Sequence, residues 1–197
     1  MKDETKSAAQ AVGPYRPNLC FYHANAKGTG SALKMNLHPA HDSADGCIML
    51  TVANQMTVGD RTGPNPTYAR FDWENAVCVK LDFNDLTQML QVFRGECESV
   101  CDGKGLYHTS PRGTTSIRLS HFVDPSSSYM LDICRRRGEV RDETRVRFNF
   151  SSAEALGVSE AIAGAMHLVC FGIPMPVSRD ASAHREAARR QRDASEA

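Results

Sequence analysis

Residues 22–35, YHANAKGTGSALKM, are matched at residues 107–120 by the similar segment YHTSPRGTTSIRLS, and this repetition is the strongest indication of the fold. Both copies hold a Tyr-His pair, a connector with a basic residue before Gly-Thr, and then a run in which apolar and polar residues alternate. Alternation with a period of two is typical of a β-strand with one buried face. The repetition indicates two related units within one chain of 197 residues.

The segments that follow the two copies also match, and in the same order. MLTVAN at 49–54 is matched by MLDICR at 130–135, and VKLDF at 79–83 is matched by VRFNF at 146–150. Each unit reads as three strands and a helix, and its Tyr-His segment is expected to add a fourth strand. The predicted fold class is α+β: two antiparallel four-stranded sheets, each followed by a helix, in an internal ββββα duplication. One unit cannot bury both its sheet and its helix, so we expect the two to pack together.

The first predicted helix follows Asn84, a residue type that often caps helices. Its sequence, DLTQMLQVF at 85–93, has apolar residues at helical spacing. The residues on that face are Leu86, Met89, Leu90 and Phe93.

The second predicted helix, 152–170, opens on Ser151 and Glu154, which have the spacing of a capping box. It is rich in Ala and Gly, and Gly lowers helix propensity, so its presence needs a reason. One reason is close approach of another helix, which makes Ala161, Gly164 and Ala165 the predicted oligomerisation residues. The alternative is packing of small residues on the chain's own sheet.

The two units define the domain organisation. Pseudo-repeats at about 20–95 and 105–172 form one predicted domain, 19–176. The polar residues 1–18 read as a flexible arm, and 177–197, rich in Ala, Arg and acids without an apolar stripe, as a flexible charged tail.

The composition excludes several classes of protein. Lys plus Arg and Asp plus Glu number 23 each, so the net charge indicates neither nucleic acid nor membrane. We see no apolar run long enough for a bilayer and no targeting signal in MKDETKSAAQ. Seven cysteines, an odd number, suit a reducing compartment. We expect an intracellular, cytoplasmic or nucleoid-associated protein with no membrane partner.

Sites for catalysis or metal binding are not apparent in the sequence. Cys97 and Cys101 have the wrong spacing for a zinc motif, and no second ligand pair lies nearby. Gly-x-Ser-x-Gly, His-Glu-x-x-His and Gly-x-Gly-x-x-Gly are absent. We therefore expect no metal, no cofactor and no enzymatic activity.

Basic residues recur on the predicted outward side of the strands, opposite the apolar rows. Such a row can follow a phosphate backbone, and a solvated sheet face with scattered charges is an equally good explanation. The residues are Lys34, Lys80, Arg118, Arg145 and Arg147.

The repeated loops, Lys27-Gly28-Thr29 and Arg112-Gly113-Thr114, combine a cation, a hydroxyl and a Gly, which lets a ligand approach the backbone. A simple turn into a strand explains the motif at least as well. The aromatic residues of the Tyr-His pairs have the chemistry to stack on unpaired bases, although a Tyr at a strand edge is also commonly half core. Trp73, beside Phe71, is either such a platform or a structural anchor.

The order of these motifs resembles the Whirly family of single-stranded-DNA-binding proteins, best known from plant organelles. The motifs are KGTGSAL at 27–33, DGCIMLTVA at 45–53, FDWE at 71–74, VKLDFNDLTQML at 79–90 and the closing VCFGIP at 169–174. The resemblance implies two four-stranded sheets joined by helices, a homotetramer assembled by those helices, and single strands lying between neighbouring sheets. Mitochondrial guide-RNA-binding proteins share this architecture. The chain departs from the family in lacking an organelle-targeting start and a basic core.

The predicted function is therefore non-enzymatic binding of single-stranded nucleic acid, DNA rather than RNA, in transcription regulation or DNA repair. The alternative is an oligomeric scaffold or transcription regulator that binds proteins through the same fold. The predicted nucleic-acid contacts are Tyr22, His23, Lys27, Lys34, Phe71, Trp73, Lys80, Tyr107, His108, Arg112, Arg118 and Arg147.

Overall fold

A computed structural model of the chain describes residues 18–41, 44–62, 64–111, 113–123, 128–138 and 142–173. The predicted arm, apart from Asn18, and the whole predicted tail lie outside these residues.

The first unit is an antiparallel sheet followed by a helix. Its elements are β1 (Asn18–His23), β2 (Ser31–His38), β3 (Cys47–Thr57), β4 (Arg70–Phe71), β5 (Val77–Leu81) and α1 (Phe83–Phe93). The main strand order is β1-β2-β3-β5, so the Tyr-His segment forms the first strand of four, as predicted. The two-residue β4 pairs only with the far end of β3 and was not expected. It belongs to the long Gly- and Pro-rich connection that the first unit alone contains.

The second unit repeats this plan after a short 3₁₀ turn at Val100–Gly103. Its elements are β6 (Leu106–Ser110), β7 (Gly113–Phe122), β8 (Ser128–Arg137), β9 (Asp142–Ser151) and α2 (Ser152–Phe171). The antiparallel order is β6-β7-β8-β9. The predicted fold class, two four-stranded sheets each followed by a helix, is confirmed.

The inner faces of both sheets and both helices share one core. Phe148 and Phe150 of the second sheet are almost completely buried, and the ring of Phe21 from the first sheet lies 6.2 and 6.0 Å from theirs. Phe93 of α1 meets Phe150 edge-on at 5.5 Å. The duplication thus has a packing reason, because each unit supplies the apolar surface that covers the other.

Helix α1 begins two residues earlier than predicted. Its N-cap is Asp82, whose side chain accepts hydrogen bonds from the backbone N–H groups of Asn84 and Asp85. The Asp85 side chain in turn accepts from the Asp82 N–H, which completes a capping box. The choice of Asn84 was wrong because Asp and Asn cap equally well in sequence, and only the backbone conformation separates them. In α2 the predicted box of Ser151 and Glu154 is confirmed.

Both histidines of the repeated Tyr-His pairs point inward and contact the opposite unit. His23 Nε2 lies 2.7 Å from Glu154 Oε1, at the start of α2, and His108 Nε2 lies 3.1 Å from Asp85 Oδ2, at the start of α1. We call these two contacts the His clamps. Each joins the first strand of one unit to the capping box of the other unit's helix. The His23 ring also stacks on Phe148 at 4.4 Å. The structure therefore corrects the prediction that His23 and His108 face bases.

The His clamps predict a pH dependence of stability. Burial would raise the pKa of Glu154, but hydrogen bonds from Ser151 and His23 hold that pKa below its usual range. A lowered carboxyl pKa stabilises the folded state above the unfolded value of about 4.3, and this contribution is lost as the pH falls through the folded pKa. We expect Glu154→Gln to flatten the loss of stability on acidification, measured by urea unfolding across an acid-to-neutral pH series.

The control for this series is Asp85→Asn. Burial raises the pKa of Asp85, so its ionisation costs stability as the pH rises. Replacing Asp85 with Asn is therefore expected to steepen the loss of stability on acidification. Equal pH profiles for both variants and the wild type would contradict this account of the clamps.

Contrary to the expectation of no apolar run long enough for a bilayer, helix α2 is long and apolar enough, by length and composition, to cross a membrane. A core helix passes the same test. In this fold Ala155, Val158, Ile162 and Val169 are buried against the sheets and α1, so packing within the chain accounts for the apolar residues on this side of the helix.

The seven cysteines are all described, and all carry free thiols. Cys97 and Cys101 pack against the core, and the Cys101 thiol donates to Gln88 Oε1 at 2.8 Å. Among the residues that the structure describes, no three His, Cys, Asp or Glu side chains gather as a metal site.

Candidate functional site

Alternate residues of the first sheet point away from the core and form what we call the first outer face. They include Tyr22 on β1, Lys34 on β2, Thr51 on β3 and Lys80 on β5. Lys34 lies opposite Thr51 in the strand register. The outward placement of both lysines follows from the apolar residues on either side of each, which the core requires.

Three aromatic rings meet on the first outer face. The Tyr22 side chain is 59% exposed, and its ring centroid lies 5.6 Å from that of Phe71 and 6.4 Å from that of Trp73. The ammonium of Lys34 lies 5.4 Å from the Trp73 centroid, within range of a cation–π interaction. These are four of the predicted contact residues, and the fold brings them together. Trp73 contacts Tyr22 and Lys34 while its side chain remains partly exposed, so its use as a platform stays a prediction.

The connection between β3 and β4 completes a groove of about 440 Å³ around these rings. We call it the aromatic groove; it is lined by Tyr22, Ala24, Arg61, Tyr68, Ala69, Arg70, Phe71 and Trp73. Sequence reasoning missed Arg61, Tyr68 and Arg70 because it took this segment as a connector. The signal that was available is the density of Arg and aromatic residues in YARFDW, residues 68–73.

Acidic residues beside the groove are occupied in building it. The Asp60 carboxylate accepts from the Thr62 backbone and hydroxyl at 2.8 and 2.6 Å, which lowers the pKa of Asp60. The Thr67 N–H donates to the Asp60 carbonyl and the Asp60 N–H donates to the Thr67 hydroxyl, which closes the connection. The Asp72 carboxylate accepts from the backbone N–H and side-chain amide of Asn75. Both carboxylates therefore hold turns, while Arg61, like Lys34, has no carboxylate at ion-pair distance among the described residues.

The Tyr22 hydroxyl stays protonated on this face. Hydrogen bonding with the Cys20 side chain, and then burial, raise the pKa of Tyr22 above its usual value of 10.0. An uncharged ring does not repel a polyanion.

The Lys27-Gly28-Thr29 loop is a turn rather than a phosphate-binding loop. The N–H groups of Lys27 and Thr29 donate to Asn25 Oδ1, at 3.0 and 3.1 Å, and the N–H of Gly28 donates to the Asn25 carbonyl. These backbone donors are already used, which corrects the idea that they cradle a phosphate. The exposed Lys27 side chain remains a candidate contact. Arg112, its predicted counterpart, lies outside the described residues.

The second outer face, formed by β6–β9, has a different arrangement. Tyr107 is 62% exposed, but no other ring contacts it within the described part of the chain. Arg118 lies opposite Asp132 in the register, and the Asp132 carboxylate pairs with Arg145 and Arg147. The described predicted contacts of the second unit are thus spread out or ion-paired, whereas Tyr22, Lys34, Phe71 and Trp73 of the first unit converge.

The predicted oligomerisation residues divide between the two explanations given for them. Ala165 is buried within the chain, and Ala161 and Ala165 line an apolar groove with Leu19 and Ile162. Gly164 is exposed, and a Cβ added there would meet no atom within 4 Å. Packing on the chain's own sheet explains why a small residue is needed at Ala165. Ala161 and Gly164 are exposed, so a partner helix would have room there.

No protein-family model and no curated protein matches the sequence. Solved structures do match. WHY1 from Arabidopsis thaliana superposes with a TM-score of 0.63 at 14% identity, over 80% of this chain and 86% of that chain. The MRP1/MRP2 structure from Trypanosoma brucei gives 0.54 at 18% identity, over 78% and 86%. A guide-RNA-binding protein complex bound to a guide RNA gives 0.54 at 17% identity, over 78% and 92%.

These matches show that the chain has the fold of the Whirly proteins, as the sequence motifs suggested. At identities below one fifth they establish the fold alone.

Proposed function

We propose that the protein binds single-stranded nucleic acid on its first outer face and catalyses no reaction. The observation that carries the proposal is the aromatic groove, where Tyr22, Phe71 and Trp73 meet beside Lys34. A structure with the same fold is described as bound to a guide RNA, which agrees with this use of the fold.

The groove has the two components that unpaired strands need. Exposed Tyr22 and Trp73 offer flat surfaces for bases, and stacking of this kind contributes about 1–3 kcal/mol per base without regard to sequence. Lys34, Arg61 and Arg70 lie beside the rings and attract the phosphates that join those bases. The chain's zero net charge makes this local arrangement, rather than a global field, the source of affinity.

We propose DNA as the preferred ligand, in keeping with the family resemblance, and a role in transcription regulation or DNA repair in the cytoplasm or nucleoid. The groove itself recognises rings and phosphates, which DNA and RNA share. Discrimination would require a contact to the 2′-hydroxyl. Matched deoxythymidine and uridine oligonucleotides therefore belong in every binding experiment.

The test is a salt series of fluorescence anisotropy with labelled single strands and a duplex control. The wild type is expected to prefer single strands, with affinity falling as salt rises. Lys34→Ala should weaken binding to all sequences and reduce the salt slope by about one unit or slightly less. Lys104→Ala removes the same charge from an exposed residue just after the 3₁₀ turn and should change neither the affinity nor the salt slope. Absence of single-strand binding at low salt would overturn the proposed function.

We also propose that the chain forms a homo-oligomer, a tetramer by analogy with the family, through the exposed side of α2. That side carries Leu156 and Phe171, which are 63% and 77% exposed, beside Gly157 and Gly164. Small residues there allow a second helix to approach closely.

Gly164→Leu is expected to shift the protein toward its 21.6 kDa monomer in light scattering. The new side chain meets open space within the chain, and Leu favours a helix more than Gly does, so the fold itself should not suffer. A wild type that is already monomeric at micromolar concentration would exclude the oligomer.

The alternative function is an oligomeric scaffold or regulator that binds proteins, and the exposed apolar side of α2 is the observation that favours it. An oligomer that binds no single strand at low salt would support this alternative.

A further inference from the structure

We infer that Asp132 is a specificity-determining residue that closes the second outer face and confines single strands to the first. This inference rests on the proposed function. It assigns a role to the buried acidic residue that pairs with two arginines of the outward basic row of the second sheet.

The two outer faces differ at equivalent positions. On the first, Lys34 of the second strand lies opposite Thr51 of the third. On the second, Arg118 of the second strand lies opposite Asp132 of the third. A neutral hydroxyl in one unit is thus replaced by a carboxylate in the other, at the centre of the face.

Asp132 uses both carboxylate oxygens to hold two arginines of β9. Arg145 donates through Nε at 2.8 and 3.1 Å and also through Nη2, and Arg147 donates through Nε at 3.1 Å. The Asp132 side chain is only 7% exposed, whereas those of Arg145 and Arg147 are 47% and 58% exposed. The carboxylate therefore lies beneath the two guanidinium groups, which remain at the surface.

A further arginine on the second outer face is also ion-paired with a carboxylate. Arg136 pairs with Glu143 at 3.0 Å. Among the described residues of this face, Arg118 is the arginine without a carboxylate at ion-pair distance, and it lies opposite Asp132. On the first outer face, Lys34 and Lys80 have no carboxylate at that distance within the described part of the chain.

A phosphate reaching the second outer face must compete with this fixed carboxylate. Arg–carboxylate pairs with several hydrogen bonds are strong and directional, and their partner here is held at a permanently high local concentration. Burial would raise the pKa of Asp132, but hydrogen bonds from Arg145 and Arg147 keep that pKa below its usual range, so the carboxylate stays charged at neutral pH. Among its described residues the face also has no ring cluster, since no ring contacts Tyr107 there. The Asp132 ion pairs and the missing ring cluster both favour binding at the aromatic groove over binding at the second outer face.

The test uses a chain whose first face is disabled by Tyr22→Ala and Trp73→Ala. Adding Asp132→Thr, the residue of the equivalent position, is expected to restore affinity for a short labelled oligodeoxythymidine by about tenfold or more, as released arginines contact phosphates. Glu96→Gln, which removes an exposed carboxylate elsewhere in the chain, should increase this affinity about threefold at most, because it changes only the net charge. In the otherwise unchanged chain, Asp132→Thr should raise the stoichiometry from one oligonucleotide per chain to two.

Asp132→Asn is the control for misfolding, because the Asn amide oxygen can still accept hydrogen bonds from the two arginines. Like Asp132→Thr, it should increase the affinity for oligodeoxythymidine. The inference is overturned if neither Asp132 variant, folded by circular dichroism, exceeds Glu96→Gln. It is also overturned if Tyr107→Ala weakens the wild type as much as Tyr22→Ala does. Failure of the wild type to bind any single strand would instead overturn the proposed function, and this inference with it.

Discussion

Replacing Tyr22 and Trp73 together by Ala is expected to weaken single-strand binding by about 2–6 kcal/mol, because each stacked base contributes about 1–3 kcal/mol. The two rings contact one another and border the same groove, so the double variant removes the platform rather than one edge of it. The Lys34 ammonium also loses the ring that positions it. The measurement is anisotropy with labelled single strands at several salt concentrations.

The salt slope separates this loss from a loss of charge. Neither substitution removes a cation, so affinity should fall while the slope changes little. Tyr107→Ala is the matched control, since it removes an equally exposed tyrosine from the second outer face. Unchanged affinity in the folded double variant would remove the aromatic groove from the proposed interface.

Phe148→Ala is expected to lower the free energy of unfolding by about 3–5 kcal/mol, the usual cost of deleting a large buried ring. Phe148 has no exposed surface, and its ring contacts those of Phe21, His23 and Phe150. It therefore joins the first strand of one unit to the last strand of the other. Urea unfolding monitored by circular dichroism gives the value.

Tyr68→Ala is the control for stability, because its side chain is 74% exposed and lies in the groove rather than the core. Its effect on unfolding should stay within about 0.5 kcal/mol. If Phe148→Ala costs no more than this control, the two sheets do not depend on a shared core.

Local signals in the sequence were enough to predict eight of the nine strands, the second helix and the duplication. These features depend on local signals: alternation around Leu33 and Ile117 identifies a buried strand face, and Ser151 with Glu154 identifies a helix start. Where two local signals were equivalent, as for Asp82 and Asn84, the wrong one was chosen. The same reasoning placed Lys34 and Lys80 outward, since alternation fixes the face on which a side chain lies.

Which side chains meet could be seen only in the folded chain. Alternation along a strand does not predict which distant residue a side chain contacts. It therefore did not reveal that His23 contacts Glu154, 131 residues away, instead of a base. Nor did it show that the β3–β4 connection folds back to place Arg61 and Tyr68 beside Tyr22. Asp132 is one more acid in the sequence, and strand register alone makes it the partner of two arginines. Contacts between distant segments depend on loop closure and strand register, and no short window of sequence contains either.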